Sequence, residues 1–375
     1  MDEARIAVGL MSGTSADGID AVLVRTDGVT PPRVLADLHQ PYPEQLHQRI
    51  VTLYQPGDNE IDRLGVLHRD LGEMFAAAAL EVCRRGGLTP ARVAVIGSHG
   101  QTVRHRPPDF TLQIADPFII AARTGVVTVA DFRPADLARG GEGAPLVPLF
   151  HQALFARAGQ RVAVVNLGGI ANITALAGSD RTPLVAGDTG PANTLLDLLA
   201  TRRNTGQRAV DRDGQAARRG RVDEEALAWL MAHPYLARPF PKSTGREDFG
   251  VELLERFLVA FPEMDGDDGF ATLTRFTVES VAEAACRLLP PYPERMILCG
   301  GGARNGAIVE GLERRLLRTR VADAEDLGVD VATLEAQAFA WFAVRTLRGL
   351  VSSVTGATGA KGPAVLGAIH PVTTE

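Results

Sequence analysis

Short apolar runs separated by small polar residues organise the start of the chain. Residues 6–10 and 19–24 are apolar, and the segment between them is rich in small and hydroxylated residues. Apolar runs of this length, bounded by turn-forming residues, predict a strand–turn–strand hairpin. Its tip, residues 12–18, holds more donors than a turn requires, and its glycines would let backbone N–H groups approach an anion. The pattern indicates either a phosphate-binding hairpin or a long loop without a ligand. It is not a P-loop, because no lysine is present and a strand follows.

Strand and helix patterns alternate along the rest of the chain. This alternation predicts an α/β fold with largely buried sheets. The strands are predicted at residues 92–97, 125–130, 161–167 and 295–298, and the helices at residues 61–85, 223–232, 251–260, 273–288 and 333–350.

The hairpin pattern occurs twice. Residues 161–176 again combine a strand, a glycine-containing tip and a second strand. This repetition suggests a duplicated domain with a ligand between the halves, where small-molecule sites are common.

A third segment, residues 298–305, contains three glycines and joins a strand to a helix starting near Ala307. The pattern indicates either a turn that contacts a ligand or a tight turn without one. The three segments in this order resemble the actin and hexokinase superfamily. That resemblance implies a two-lobed, ribonuclease H-like fold with an interdomain cleft, in which the hairpins hold phosphates and the third segment takes adenosine.

Composition narrows the class of protein. The chain has 375 residues, and its hydrophobic content of 45% is ordinary for a globular protein. Its net charge of −6 disfavours a nucleic-acid binder. The three cysteines follow no metal-ligand spacing, and no apolar run is long enough to span a bilayer. We therefore expect a cytoplasmic protein that contacts neither nucleic acid nor membrane.

Asp188 is the leading candidate for a catalytic group. It lies in a Gly-Asp-Thr-Gly-Pro stretch that we interpret as a turn opening a helix over residues 193–199. The carboxylate is either a helix cap or a general base kept ionised by the positive end of that helix.

Polar residues follow the predicted strand 92–97. Ser98, His99, Gly100, Gln101 and Thr102 stand where α/β sheets collect ligands, and they carry groups that bind sugar hydroxyls and amides. His99 in such a loop is either a binding residue or a structural one. Arginines 104 and 106, with the histidine between them, are candidates to neutralise an acid. Two other polar stretches, 131–148 and 241–249, are either functional segments or surface loops; the second holds Lys242, one of only two lysines.

Nine segments resemble the anhydro-N-acetylmuramic acid kinases, in order and over nearly the whole chain. They are residues 9–20, 98–107, 166–174, 187–191, 242–247, 299–305, 335–341, 353–357 and 365–369. The resemblance implies an enzyme that uses ATP and Mg²⁺ to open 1,6-anhydro-N-acetylmuramic acid with water and to phosphorylate O6. The product would be N-acetylmuramic acid 6-phosphate, in peptidoglycan recycling. It also implies a homodimer.

The resemblance and the motifs together give a set of candidate site residues. Asp188 is the predicted base, and Asp17 is the candidate metal ligand. The predicted nucleotide-binding residues are Gly9, Met11, Ser12, Gly13, Thr14, Ser15, Asp17, Gly18, Asn166, Gly168, Gly169, Gly300, Gly301, Gly302 and Asn305. The predicted substrate-binding residues are Ser98, His99, Gly100, Gln101, Thr102, Asp188 and Glu335.

We place domain I at residues 1–133 plus 345–375, with the first hairpin and the 98–102 segment, and domain II at residues 134–344. Two departures from the family pattern stand out. Ala192 replaces a usual glycine, which is tolerable only if its φ is negative. The C-terminal segment 355–363 is longer than usual, with little effect expected. The alternatives are an ordinary sugar kinase of the same superfamily and a non-catalytic, nucleotide-switched module.

Overall fold

A computed structural model describes residues 4–13, 15–178, 184–207 and 209–372. The chain divides into two compact units: a first unit up to Leu154 and from Ala332 onward, and a second unit spanning Phe155–Val331. In the described part of the chain, no helix combines the length and apolarity needed to cross a membrane.

The first unit is built on a mixed sheet. Its described strands are β1 Arg5–Ser12, β2 Gly18–Thr26, β3 Arg33–Pro41, β4 Val95–Arg106, β5 Phe110–Ile114, β6 Thr128–Ala130 and β12 Ala368–His370. Its described helices are α1 Glu44–Val51, α2 Glu60–Arg85, α3 Pro117–Thr124, α4 Pro134–Leu137, α5 Pro148–Phe155 (which ends at the boundary), α13 Leu334–Leu347 and α14 Thr355–Thr358. The strand order is β12-β6-β4-β1-β2-β3, and β5 pairs with β4.

The second unit contains a smaller sheet. Its described strands are β7 Val162–Leu167, β8 Ile170–Leu176, β9 Val185–Pro191, β10 Arg295–Cys299 and β11 Arg320–Asp323, in the order β11-β10-β7-β8-β9. Its described α-helices are α6 Thr194–Arg203, α7 Gln215–Arg219, α8 Glu224–Met231, α9 Pro234–Ala237, α10 Val251–Ala260, α11 Asp267–Leu288 and α12 Gly306–Arg315.

The two sheets repeat one design, which confirms the predicted duplication. In the first unit β3, β2 and β1 form an antiparallel meander, and β4 and then β6 join it in parallel. In the second unit β9, β8 and β7 form the same meander, and β10 and then β11 follow in parallel. Each fourth strand is preceded by a long helix, α2 or α11, whose apolar side chains cover the sheet of its own unit.

Several predicted boundaries need correction. Strand β4 does not end at residue 97 but runs to Arg106, because residues beyond 100 pair with β5 and continue the ladder. The 98–102 segment is therefore strand rather than loop. The helix predicted over 273–288 begins at Asp267, whereas the helix predicted over 251–260 is α10 with the same ends.

The division into units differs from the boundaries at 133/134 and 344/345. Helix α13 belongs with the first unit, because it packs on β1, β2 and β4. Gly9 on β1 and Gly97 on β4 make this packing possible, since a Cβ at either position would collide with the α13 backbone. Glu335, in the first turn of α13, consequently lies in the first unit rather than in the second.

Candidate active site

The first hairpin tip is tied to strand β4. Ser12 ends β1 and is buried, and its hydroxyl lies 2.7 Å from the Gly18 carbonyl oxygen and 2.6 Å from Gln101 Oε1. The Gln101 amide in turn donates to the carbonyl of Gly13 at 3.0 Å. A predicted nucleotide residue and a predicted substrate residue are therefore direct neighbours, and Ser12 and Gly13 are tied to β4.

The other tip residues divide by exposure. Ser15 and Asp17 are exposed, Gly13 is half-buried, and Met11 and Gly18 are buried within the strands. Thr14 lies outside the described residues. Among the described residues of the tip, Ala16 adopts a left-handed conformation, with φ 53°. Asp17 thus offers an accessible carboxylate. Among the described residues there is no cluster of three or more metal-binding side chains.

Gly9 lies inside β1, under the backbone of α13. Its position requires a glycine for packing, so this predicted nucleotide residue has a structural reason to lack a side chain.

The 98–102 segment presents its groups to both faces of the sheet. Gly100 has a φ of 75°, which a side chain would strain. Ser98 and Gly100 line a pocket of 250 Å³ that also includes His68, Asp131 and His370. The Ser98 hydroxyl is buried, and within the described ranges no hydrogen-bond partner reaches it. The half-buried Thr102 hydroxyl accepts from the Gln113 amide at 3.3 Å.

His99 is a buried partner of Arg133. Its Nδ1 lies 3.0 Å from the Gly100 carbonyl, and its Nε2 accepts from Arg133 Nε at 3.0 Å. Burial, reinforced by the Arg133 charge, holds the pKa of His99 well below its usual value. The neutral imidazole with its proton on Nδ1 satisfies both contacts, so His99 orients Arg133 as a fixed acceptor.

Arg133 is a further candidate site residue, which the sequence alone did not single out. Burial lowers its pKa to about 10, and Glu335 opposes that shift. Burial likewise raises the pKa of Glu335, while Arg133 lowers it. The Glu335 side chain nevertheless keeps an accessible surface. Arg133 lies in the glycine- and proline-rich stretch 131–148, and that placement was its only signal.

Arg104 and His105 follow the 98–102 segment on β4 and already have surroundings that account for them. Arg104 pairs with Glu60 at 2.5 Å and donates to the Leu53 carbonyl at 3.0 Å. Burial lowers the pKa of His105 to about 4, so its ring is neutral at pH 7. The Arg104 charge is therefore already compensated, whereas Arg106 is exposed and remains the candidate to neutralise an acid.

The second hairpin is held by the segment that opens α6. Asn193 donates through its side-chain amide to the carbonyls of Leu167 (3.0 Å) and Gly168 (2.7 Å), and the Thr194 N–H donates to the Gly169 carbonyl at 3.1 Å. Gly169 is exposed, whereas Asn166 and Gly168 are half-buried. The tip is thus an ordered, solvent-facing backbone.

The three glycines of the turn after β10 differ in the space that surrounds them. A Cβ at Gly300, whose φ is 80°, would collide with Asn166 Oδ1, and a Cβ at Gly302 would lie 2.7 Å from Leu167 Cβ. In the described part of the chain, no heavy atom lies within 4 Å of a Cβ placed on Gly301. Asn305 caps α12 by accepting from the backbone N–H groups at 307 and 308.

A pocket of 360 Å³ opens beside this turn. Its lining includes Gly301, Asn305 and Arg304 of the turn, Asn193 and Asp197 around the start of α6, and the segment 210–213. Backbone without side chains at one wall and polar groups at the others suit a flat heterocycle with a sugar attached.

Asp188 lies in strand β9, not in a turn, and α6 begins at Thr194. The helix N-terminus is therefore not its support. Instead, Asp188 Oδ2 accepts from the Thr244 N–H at 2.9 Å, and the Asp188 N–H donates to the Lys242 carbonyl at 2.8 Å. The Tyr235 hydroxyl donates to the Asp188 carbonyl at 2.9 Å.

The stretch around Asp188 and the segment 242–244, which are far apart in the sequence, thus meet at the Asp188 carboxylate. Lys242 is buried and donates to the carbonyls of Tyr235 (3.1 Å) and Leu236 (3.0 Å). Burial lowers the pKa of Lys242 to about 8; nearby arginines add to the shift and Asp188 opposes it. Ala192 is buried, and its φ is not positive, so the methyl group causes no backbone strain.

The repeated sheets, each with a hairpin at the start of its meander, define a duplicated α/β fold of two units. The family model for anhydro-N-acetylmuramic acid kinase matches residues 5–372. The chain belongs to the anhydro-N-acetylmuramic acid kinase family and is an enzyme of the kinase class.

Curated relatives agree with this assignment. The chain is 45% identical to an anhydro-N-acetylmuramic acid kinase of Shewanella amazonensis, covering 97% of this chain and 98% of the relative. It is 40% identical to one of Caldanaerobacter subterraneus, covering 98% and 97%.

Solved structures are more distant. A 2-hydroxyglutaryl-CoA dehydratase component A of Acidaminococcus fermentans has a TM-score of 0.47 at 12% identity, covering 92% of this chain and 99% of that one. A ROK hexokinase of Thermus thermophilus has a TM-score of 0.39 at 18% identity, covering 91% and 99%. The assignment therefore rests on the family match.

Proposed function

We propose that the protein converts 1,6-anhydro-N-acetylmuramic acid, water and ATP into N-acetylmuramic acid 6-phosphate and ADP. The observation that carries this proposal is the fixed Asp188 carboxylate. One of its oxygens accepts the Thr244 N–H, and its backbone is held on both sides by Lys242 and Tyr235. A carboxylate fixed in this way is positioned to act as a general base.

The substrate dictates the order of bond changes. Its O6 is locked in the anhydro bridge and is no nucleophile until that bridge opens. Asp188 takes a proton from water while the water oxygen bonds to the anomeric carbon and the bond from that carbon to O6 breaks. O6 then bonds to the γ-phosphorus as the bond to the ADP oxygen breaks, and the proton is released to solvent. Positioning and charge neutralisation supply most of the phosphoryl-transfer catalysis.

The nucleotide residues proposed are those of the two hairpin tips and the glycine-rich turn. Exposed backbone at Gly169 and hydroxyls at the first tip suit phosphate oxygens, and the pocket beside Gly301 suits adenosine. We assign Asp17 to Mg²⁺. A single accessible carboxylate fits this ion, because Mg²⁺ usually takes most of its ligands from phosphates and water. Bound Mg²⁺ would neutralise charge on the transferring phosphoryl group.

The sugar residues proposed are Ser98 to Thr102 with Glu335, and to these we add Arg133. The buried Ser98 hydroxyl, the oriented Arg133 guanidinium and the accessible Glu335 carboxyl supply donors and acceptors for the hydroxyl, acetamido and acid groups of the substrate. We further propose a cytoplasmic homodimer acting in peptidoglycan recycling. Free thiols at residues 83, 286 and 299 fit a reducing compartment, and light scattering after size exclusion tests the dimer.

Product analysis in ¹⁸O-labelled water tests the coupled mechanism. We expect label on the anomeric oxygen of the 6-phosphorylated product and none on its phosphate. An ordinary sugar kinase would prefer the free sugar over the anhydro sugar and would incorporate no label. Supplying both sugars side by side therefore separates the two enzymes, and ATP binding without turnover of either would indicate a nucleotide-switched module.

A further inference from the structure

Asp136 is a buried carboxylate that the reaction described above does not use. It lies in the short helix α4 and is inaccessible to solvent. Its Oδ2 accepts from the Gly143 N–H at 2.8 Å, and its Oδ1 accepts from the Thr358 hydroxyl at 2.8 Å. A carboxylate buried this completely is retained only where its hydrogen bonds are satisfied.

Gly143 connects this carboxylate to Arg133. The Gly143 N–H binds Asp136, and the Gly143 carbonyl accepts from Arg133 Nη1 at 2.7 Å. Gly143 has a φ of 67°, a conformation in which a side chain would add strain. Since Arg133 also donates through Nε to His99, its guanidinium is fixed from two sides. Because the guanidinium is planar, these two bonds also fix the directions of its remaining N–H groups.

The C-terminal segment closes the same network. The Glu142 N–H donates to the Thr358 carbonyl at 2.8 Å, and the Lys361 N–H donates to the Arg139 carbonyl at 2.9 Å. The segment 355–363, expected to have little effect, therefore braces the loop that holds Arg133.

We propose that Asp136 is a positioning residue, which sets the orientation of Arg133 through Gly143 and so tunes binding of the sugar substrate. The proposal rests on the assignment of Arg133 to the sugar. It requires that Asp136 affect sugar binding and leave nucleotide binding unchanged.

The first test compares Asp136→Ala with Asp136→Asn. The alanine variant leaves the Gly143 N–H without its partner, and we expect the KM for the anhydro sugar to rise by roughly tenfold with the KM for ATP unchanged. Asparagine can accept from Gly143 through its oxygen and donate to Thr358 through its nitrogen, so Asp136→Asn should restore the wild-type KM. A purely structural role would lower the folded fraction and leave both KM values unchanged, which would overturn the proposal.

A double-mutant cycle with Arg133→Ala decides whether the effect passes through Arg133. We expect Asp136→Ala to add little to the sugar kcat/KM loss of Arg133→Ala. If the losses of the two single variants add up in the double variant, Asp136 does not act through Arg133 and the proposal is overturned, while the assignment of Arg133 to the sugar stands. An unchanged sugar KM in Arg133→Ala would instead show that Arg133 does not bind the sugar, and the proposal would fail with that assignment. Should Asp136→Ala not fold, Thr358→Val replaces it in the same cycle, with the same expected change in sugar KM.

Discussion

Gly9 and Gly97 lie opposite each other on the parallel strands β1 and β4, and both are covered by the backbone of α13. A Cβ at Gly9 would collide with the Ala336 carbonyl, and one at Gly97 would collide with the Phe339 carbonyl. This pair sets the depth at which α13 lies on the sheet. It thereby sets the position of Glu335, at the start of that helix, relative to Arg133.

Gly9→Ala and Gly97→Ala should each destabilise the protein. The methyl group would meet the helix backbone first, which cannot move aside as a side chain can, so we expect a loss of about 1–3 kcal/mol in the free energy of unfolding, or failure to fold. Chemical denaturation measures this loss. Gly65→Ala is the matched control: Gly65 lies exposed in α2, and no heavy atom of the described residues lies within 4 Å of its Cβ position, so the substitution should stabilise by about 1 kcal/mol. Wild-type stability in Gly9→Ala would contradict the packing described.

Asp188→Asn should slow product formation severely and preserve nucleotide binding. Asparagine can still accept the Thr244 N–H but cannot take a proton from water, so we expect kcat to fall by roughly 10²–10⁴-fold. Calorimetric titration with a non-hydrolysable ATP analogue should give the wild-type affinity. Asp223→Asn is the control, since Asp223 caps α8 and asparagine caps equally well. Full activity in Asp188→Asn would remove Asp188 from the role of base.

The apolar pattern was sufficient for much of the fold. It predicted the strands that become β1, β2, β7 and β8, and the two ends of α10, because these elements are short buried runs or a complete amphipathic helix. It failed beyond residue 97 on β4. That part of the strand is polar and is held by its ladder with β5 rather than by burial of an apolar face.

The site was less predictable, because its supports are distant in sequence. Asp188 looked like a helix-opening turn residue, but it lies in β9, where it pairs with Asn172 of β8. Its other partners come from the segment 242–244, more than fifty residues away in the sequence. Arg133 could not be recognised from its own surroundings in the sequence, since His99 and Gly143 are brought to it by the tertiary fold. The motif resemblance identified the candidate site residues, and the hydrogen bonds of the folded chain show how these residues are arranged.

Gly300 and Gly301 should respond differently to a side chain. Gly300→Ala would meet Asn166 and adopt a strained φ, so we expect a lower melting temperature. Gly301→Val has space for its side chain but fills the pocket proposed for adenosine, so it should keep the melting temperature and raise the KM for ATP by about tenfold or more. Steady-state kinetics with each substrate varied in turn tests this. Equal changes in the KM for sugar and for ATP would count against the assignment of this pocket.

Titration of Lys242 should make stability depend on pH above neutrality. Burial lowers its pKa from 10.5 to about 8 in the folded protein, so between these values the unfolded chain binds more protons than the folded one. The free energy of unfolding therefore gains a contribution that rises with pH from about 8 to 10.5.

Other groups titrate in this range, so the quantity to measure is the difference in the free energy of unfolding between variants. Denaturation at several pH values should show the wild-type protein gaining stability relative to Lys242→Met across the window. Lys361→Met, which alters an exposed lysine, should follow the wild type. Parallel pH profiles for wild type and Lys242→Met would mean that Lys242 titrates alike in the folded and unfolded chains.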